Sequence, residues 1–267
     1  MIRLAATGDI HFGTDSAGTL RPHLKHLHEQ ADLLLIAGDL TRHGDVAEAE
    51  VLGAELAGLA TPVVAVLGNH DYHLDQQDAV TAALEAAGVT VLECGTTRFE
   101  FNGLTIGIAG MKGFCGGFAG ACGSAFGEPH MKAFINHTRD LAVELGGLVA
   151  SLDTDVRVVL LHYSPSEETL EGERLEIYPF LGSYLLSESI DQAGADVVFH
   201  GHAHAGIEKG LTPAGITVRN VARHVLGTVY GIYAVGSRQA AGTNGATAPA
   251  FQARSPEPMH TPALPSR

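Results

Sequence analysis

Five short polar clusters carry the chemistry open to this sequence. They are Asp9 with His11, Gly38-Asp39, Gly68-Asn69-His70-Asp71, a solitary His162, and His200-Gly201-His202-Ala203-His204. The chain has 15 histidines and no tryptophan, and imidazole in excess beside acids makes metal binding the first hypothesis. Oxygen and imidazole donors without thiolate suit Mn, Fe, Zn, Co or Ni, whereas Mg or Ca sites want oxygen almost throughout. Two carboxylates, a carboxamide and at least four imidazoles are too many for one ion that keeps a catalytic position open. They suit two ions about 3.5–4 Å apart, bridged by a carboxylate. Such a pair would also draw in a phosphate.

Each cluster closes a short apolar run, at 3–7, 33–37, 63–67, 158–161 and 197–199. Runs 33–37, 63–67 and 89–92 recur at roughly thirty-residue intervals, alternating with helical stretches over 20–31, 46–59 and 79–87; this is a βαβ pattern of buried parallel strands. Ligands of open α/β sheets sit beyond the carboxyl ends of the strands. Strands sharing one sheet would therefore bring all five clusters to one edge. Glycines beside Asp39, Asn69 and His202 suit tight turns there. Farther on, Asn102-Gly103 between 98–101 and 104–109 signals a hairpin with a type I′ turn. Residues 130–152 have helical periodicity, and 216–221 and 229–235 read as strands.

Composition narrows the function. The 267 residues include 16 basic and 30 acidic side chains, a net charge of −14, which disfavours long nucleic acid and anionic membranes as partners. No apolar run approaches the roughly 18 residues of a membrane-spanning helix. With no leader segment in view and only Cys94, Cys115 and Cys122, a cytoplasmic protein with reduced thiols is expected. One α/β domain over 1–236 is expected, followed by a disordered tail over 237–267, where Ala, Gly, Pro, Ser and Thr dominate.

Taken together and in order, Asp9-Ile10-His11, Gly38-Asp39, Gly68-Asn69-His70-Asp71, His162 and Gly201-His202-Ala203-His204 resemble the five-block signature of the calcineurin-like metallophosphoesterases. Each block alone is weak, and the five together are specific. The resemblance implies a four-layer αββα sandwich of two mixed sheets flanked by helices, with two divalent or mixed-valence transition metal ions (Mn, Fe, Zn or Ni). It places Asp9, His11 and His204 on one ion and Asn69, His162 and His202 on the other, with Asp39 bridging. It puts His70 opposite the leaving oxygen, with Asp71 orienting it. The second block continues Leu40-Thr41-Arg42-His43-Gly44, so Arg42 and His43 stand where the protein Ser/Thr phosphatase branch has an acid and a phosphate-gripping Arg. The match is closer to the bacterial phosphodiesterase-like branch, and Arg42 and His43 are candidate substrate contacts.

The expected activity is hydrolysis of a small anionic phosphoester, first a nucleotide-like or glycerophospho diester. The alternatives are a phosphomonoesterase or a non-catalytic binding module on the same fold. His200 is read as a structural hydrogen-bonding residue. His23, His26 and His28 are read as solvent-facing, and His73, His130, His137, His224 and His260 as lacking a partner. The Gly-rich stretch 110–127 is either a mobile loop, with Lys112, Phe114 or Phe118 shaping the pocket, or a plain surface excursion. The glutamates at 167, 168, 171, 173 and 176 read as a solvated face.

Overall fold

Strand Leu33–Ala37 is apolar and buried at every position, so both of its faces need a cover. The computed structural model describes residues 1–236, and the expectation for 237–267 lies outside the described residues. In chain order the elements are β1 (Ile2–Thr7), α1 (Arg21–Leu24), α2 (Leu27–Gln30), β2 (Leu33–Ala37), α3 (Val46–Leu56), β3 (Val63–Val66), α4 (Gln77–Ala86) and β4 (Val89–Val91). Then come β5 (Gly95–Phe101), β6 (Leu104–Met111), the small hairpin β7 (Gly117–Phe118) and β8 (Ala121–Cys122), α5 (Pro129–Ser151), β9 (Val156–Leu161), α6 (Tyr178–Leu181) and α7 (Tyr184–Ala193). The chain continues through β10 (Val197–His200), β11 (Lys209–Leu211), β12 (Thr217–Asn220), α8 (Arg223–Leu226) and β13 (Gly231–Val235).

The strands form one sheet in the order β13-β1-β2-β3-β4 and another in the order β11-β12-β10-β9-β6-β5. Strands β1 to β4 are mutually parallel and β13 joins antiparallel at the edge. In the second sheet β6, β9, β10 and β12 are parallel, with β5 and β11 antiparallel at the two edges. The period of two decides the layering. Leu33, Leu35 and Ala37 point between the sheets, against a layer that includes Ile106, Ile108, Val158, Leu160 and Phe199. Leu34 and Ile36 point the other way, into a cluster with Leu52, Leu56, Val80 and Leu84 of α3 and α4. Val159, Leu161 and Val198 pack outward on Leu145, Val149, Leu186 and Ile190 of α5 and α7. Burying each such side chain contributes roughly 1.5–3 kcal/mol. The result is helix, sheet, sheet, helix: a mixed α/β sandwich.

Two expectations are corrected. The five polar clusters do not share one sheet: three follow β1, β2 and β3, and two follow β9 and β10 of the other sheet. They converge because the carboxyl ends of both sheets open on the same side, where Gly8 bridges Ala222 and His162 Nδ1 lies 3.0 Å from the Ala37 carbonyl. Residues 20–31 are also not a single helix. His26 leaves helical angles (φ −113°, ψ 21°), and α1 is tied instead to α3. The amides of Leu20 and Arg21 donate to the Glu55 carboxylate at 3.0 and 2.6 Å, and the Arg21 guanidinium donates to the Glu55 and Ala57 carbonyls. Tertiary bonds to α3 override the local helical preference.

Candidate metal centre

Asp9, His11, Asp39 and His202 all have positive φ, at 55°, 44°, 50° and 70°. Non-glycine residues occupy that region at a cost, and such strain gathers at functional sites. Here the surroundings enforce it. Asp9 N–H donates to the Gly38 carbonyl and His11 N–H to the Asp39 carbonyl, both at 3.0 Å, which zips the turn after β1 to the turn after β2. The His202 amide donates to the Asp9 carboxylate at 2.9–3.0 Å, joining the two sheets. Two glycines make the approach possible. A Cβ on Gly38, which has φ +80°, would lie 2.5 Å from His162 Nδ1, and one on Gly68 would lie 2.1 Å from Asp39 Oδ1.

Two groups of donors result. Asp9, His11, Asp39 and His204 can hold one ion and Asp39, His162 and His202 another, with the ligand atoms of each group within 4.8 Å of one another. Asp39 belongs to both. In the first group His204 Nε2 lies 2.8 Å from Asp9 Oδ1 and His11 Nε2 3.7 Å from Asp39 Oδ2. In the second, His162 Nε2 lies 3.4 Å from Asp39 Oδ1 and 2.9 Å from Asn69 Oδ1.

The donor chemistry fits a cation. His162 Nδ1–H donates to the buried Ala37 carbonyl at 3.0 Å, so in the neutral ring Nε2 is a lone pair facing the Asn69 oxygen, another lone pair. His202 Nε2–H donates to the Phe180 carbonyl at 3.2 Å, which leaves Nδ1 as its ligand atom. Fixing one ring nitrogen by a carbonyl to free the other is how ligating histidines are oriented. Charge agrees. Burial alone would raise the Asp9 carboxyl, but the His204 bond, His162 and the His202 amide hold it down at about 2. Burial lowers His202 to about 3 and also lowers His11, keeping both rings in the neutral, ligating form. His204 goes up, through its bond to Asp9.

Residues 2–206 match the family described as calcineurin-like phosphoesterase. The chain belongs to that family. It is 25% identical over 202 residues to the uncharacterised protein YpbG of Bacillus subtilis (strain 168), a match covering 74% of this chain and 59% of YpbG, so the chain spans less than two thirds of that relative. In fold it is similar to the phosphopantetheinyl hydrolase of Mycobacterium tuberculosis, with a TM-score of 0.56 and 16% identity over 82% of this chain and 88% of that one. It is likewise similar to GAP50, described as the anchor in the inner membrane complex of Plasmodium, with a TM-score of 0.51 and 16% identity over 84% and 72%.

In this calcineurin-like chain the remaining candidates fall around the two donor groups. The His70 ring is 4.5 Å from that of His11, and its amide donates to Asp39 Oδ1 at 2.9 Å. Asp71 does not touch the His70 ring, contrary to expectation. Its fully buried carboxylate accepts from the amides of Leu40, Thr41 and Gly68 and from the Thr41 hydroxyl, at 2.6–3.1 Å, so it clamps the turn after β2 to the turn after β3. Burial raises it to about 6 against those bonds. The task of orienting His70 falls to the Arg42 carbonyl, 2.8 Å from His70 Nδ1. Arg42 and His43, the candidate substrate contacts, are engaged elsewhere: the guanidinium pairs with Asp15 at 3.0 Å and the imidazole with Glu48 at 2.9 Å.

His200 is fully buried, donating from Nδ1 to the Gly201 carbonyl and meeting Thr169 Oγ1 at 2.9 Å through Nε2. That is a structural role. His224, expected from the sequence to lack a partner, has one. Its ring stacks on His204, centroids 4.4 Å apart and planes at 14°, because Arg223 N–H donates to the Gly8 carbonyl and draws α8 to the end of β1. No local pattern announces that long-range contact.

Proposed function

We propose that this chain hydrolyses phosphate esters at two metal ions, acting as a phosphodiesterase on a small nucleotide-like or glycerophospho substrate. The observation that carries this reading is the membership of Asp39 in both donor groups, the arrangement a bridging carboxylate needs. Asp9, His11 and His204 would hold one ion, Asn69, His162 and His202 the other, and Asp39 both. When bound, two cations supply an activated water at neutral pH and draw charge from the phosphoryl oxygens.

The chain's own residues supply the rest. In its imidazolium form His70 keeps Nδ1–H on the Arg42 carbonyl and presents the Nε2 proton to the departing oxygen; general-acid help of this kind is typically worth 10²–10⁴-fold, as an order of magnitude. Asp71 acts at a distance, since it fixes Thr41 and so the neighbouring Arg42 carbonyl. With the Arg42 guanidinium committed to Asp15, no arginine from this turn grips a terminal phosphate dianion, which supports a diester over a monoester.

The test is hydrolysis of bis-p-nitrophenyl phosphate against p-nitrophenyl phosphate with Mn²⁺ added and with a chelated control. Metal-dependent preference for the diester is expected. Preference for the monoester would overturn the diester assignment, and no turnover of either with metal bound would overturn catalysis.

A further inference from the structure

Beside the second donor group a lysine ammonium is ringed by aromatic faces, with its nearest acids beyond ion-pair distance. Lys112 directly follows β6, and its carbonyl accepts the amides of His162 and Tyr163, both at 3.1 Å. Its backbone is thereby locked to the residues that carry the second donor group. Its Nζ stands 4.5 Å from the ring centre of Tyr72, 5.5 Å from that of Phe114 and 5.6 Å from that of Tyr163. Tyr72 lies just past His70 in the same turn, and the Tyr163 ring is 4.5 Å from the ring of His202. The Tyr163 ring thus neighbours both the ammonium and a ligand of the second donor group.

Ring faces attract a cation by about 0.5–2 kcal/mol, yet they offer no acceptor directly in line with its three N–H donors. A half-buried ammonium ordinarily finds a carboxylate. Among the described residues no carboxylate lies within ion-pair distance of Lys112, although the acids outnumber the bases 30 to 16. The nearby Glu93 acts on the ammonium through its charge alone, and one of its oxygens accepts the Tyr72 hydroxyl at 2.6 Å. On the outer side, the Phe114 ring is backed by His137 at 4.8 Å and by Phe134 at 5.2 Å, which fixes the wall of the cage.

We infer that Lys112 receives a second anionic group of the substrate, so the phosphoester taken by this site carries a further phosphate or carboxylate close to the phosphorus attacked. The inference rests on the phosphoesterase reading and deepens it. The ions would hold the reacting phosphoryl group while the ammonium, lodged against Tyr72 and Phe114, binds its neighbour.

The experiment is calorimetric binding to the Mn²⁺-loaded chain of methylphosphonate, phosphonoacetate and methylenediphosphonate, which carry one anionic group, an added carboxylate and an added phosphonate. Wild type is expected to bind at least one of the two-group probes tenfold or more tightly than methylphosphonate, and which one names the second group. In Lys112→Met that ratio should fall about tenfold, and Lys112→Arg should restore part of it. Equal affinities in wild type, or an unchanged ratio in Lys112→Met, overturn the inference; Lys112→Gln serves in place of the methionine variant should that one not fold. Binding is read without turnover. A chain with the expected ratios that cleaves no ester would contradict the phosphoesterase reading alone, while a chain that cleaves esters with an unchanged ratio would contradict this inference alone.

Discussion

The Nδ1 of His70 lies 2.8 Å from the carbonyl oxygen of Arg42, so the ring is oriented by backbone from the neighbouring turn and its Nε2 is left for chemistry. His70→Ala should therefore keep both metal ions and lose turnover by roughly 10²–10⁴-fold, most severely for esters with poor leaving groups. Metal content by mass spectrometry alongside rates for a series of substituted aryl esters checks this. Loss of metal in the variant would make His70 a ligand instead.

Asp39 meets His11, His162 and the His70 amide at once, at 3.7, 3.4 and 2.9 Å. Asp39→Asn removes one charge from the position shared by both donor groups. Metal content and activity are expected to fall together, with the fold kept. Two bound ions and full turnover in this variant would remove the bridge from the account.

Gly38 combines φ +80° with a Cβ position 2.5 Å from His162 Nδ1. Gly38→Ala should cost about 1–2 kcal/mol in backbone strain alone, and it must also push His162 off the Ala37 carbonyl. A lower melting temperature and weaker metal binding are expected, whereas Gly18→Ala, with open space around its Cβ, should show only the strain. Equal metal affinity in the two variants would mean His162 is not held as described.

Asp71 is fully buried and its carboxyl is raised to about 6. A raised carboxyl favours the protonated folded state, so its contribution to stability is complete below about pH 4 and is lost as the pH rises through 6. In the metal-free chain the stability of wild type relative to Asp71→Asn should drop between pH 4 and 7, by roughly 3 kcal/mol for a shift of this size. Urea unfolding at several pH values in chelator measures the difference. A flat difference would show that the four accepted hydrogen bonds, which favour the anion, outweigh burial.

Much of this architecture is legible in the chain itself. Leu33–Ala37 announces a strand covered on both faces, and Asn102-Gly103 gives the β5–β6 hairpin its turn, with positive φ at both residues. The polar clusters stand out because each follows such a run. What stays hidden is set by distance. The assignment of β9 and β10 to a second sheet depends on pairing with β6, which local periodicity does not encode. The breaking of 20–31 depends on Glu55, more than twenty residues later, and His224 reaches His204 where Ala222 and Arg223 meet Gly8, more than two hundred residues earlier. Helix α7 did carry a local signal in its Ser183 cap, whose hydroxyl accepts from the Leu185 amide. Asp71 shows the opposite error, since adjacency to His70 suggests a partner while the buried turn amides and the Thr41 hydroxyl take up its carboxylate.

The most direct test of the whole account is the hydrolysis of bis-p-nitrophenyl phosphate by the chelated chain as Mn²⁺ is returned stepwise. The account predicts negligible turnover without metal and a rise that saturates at two equivalents per chain. Turnover undiminished by chelation, or none with two equivalents bound, would contradict it.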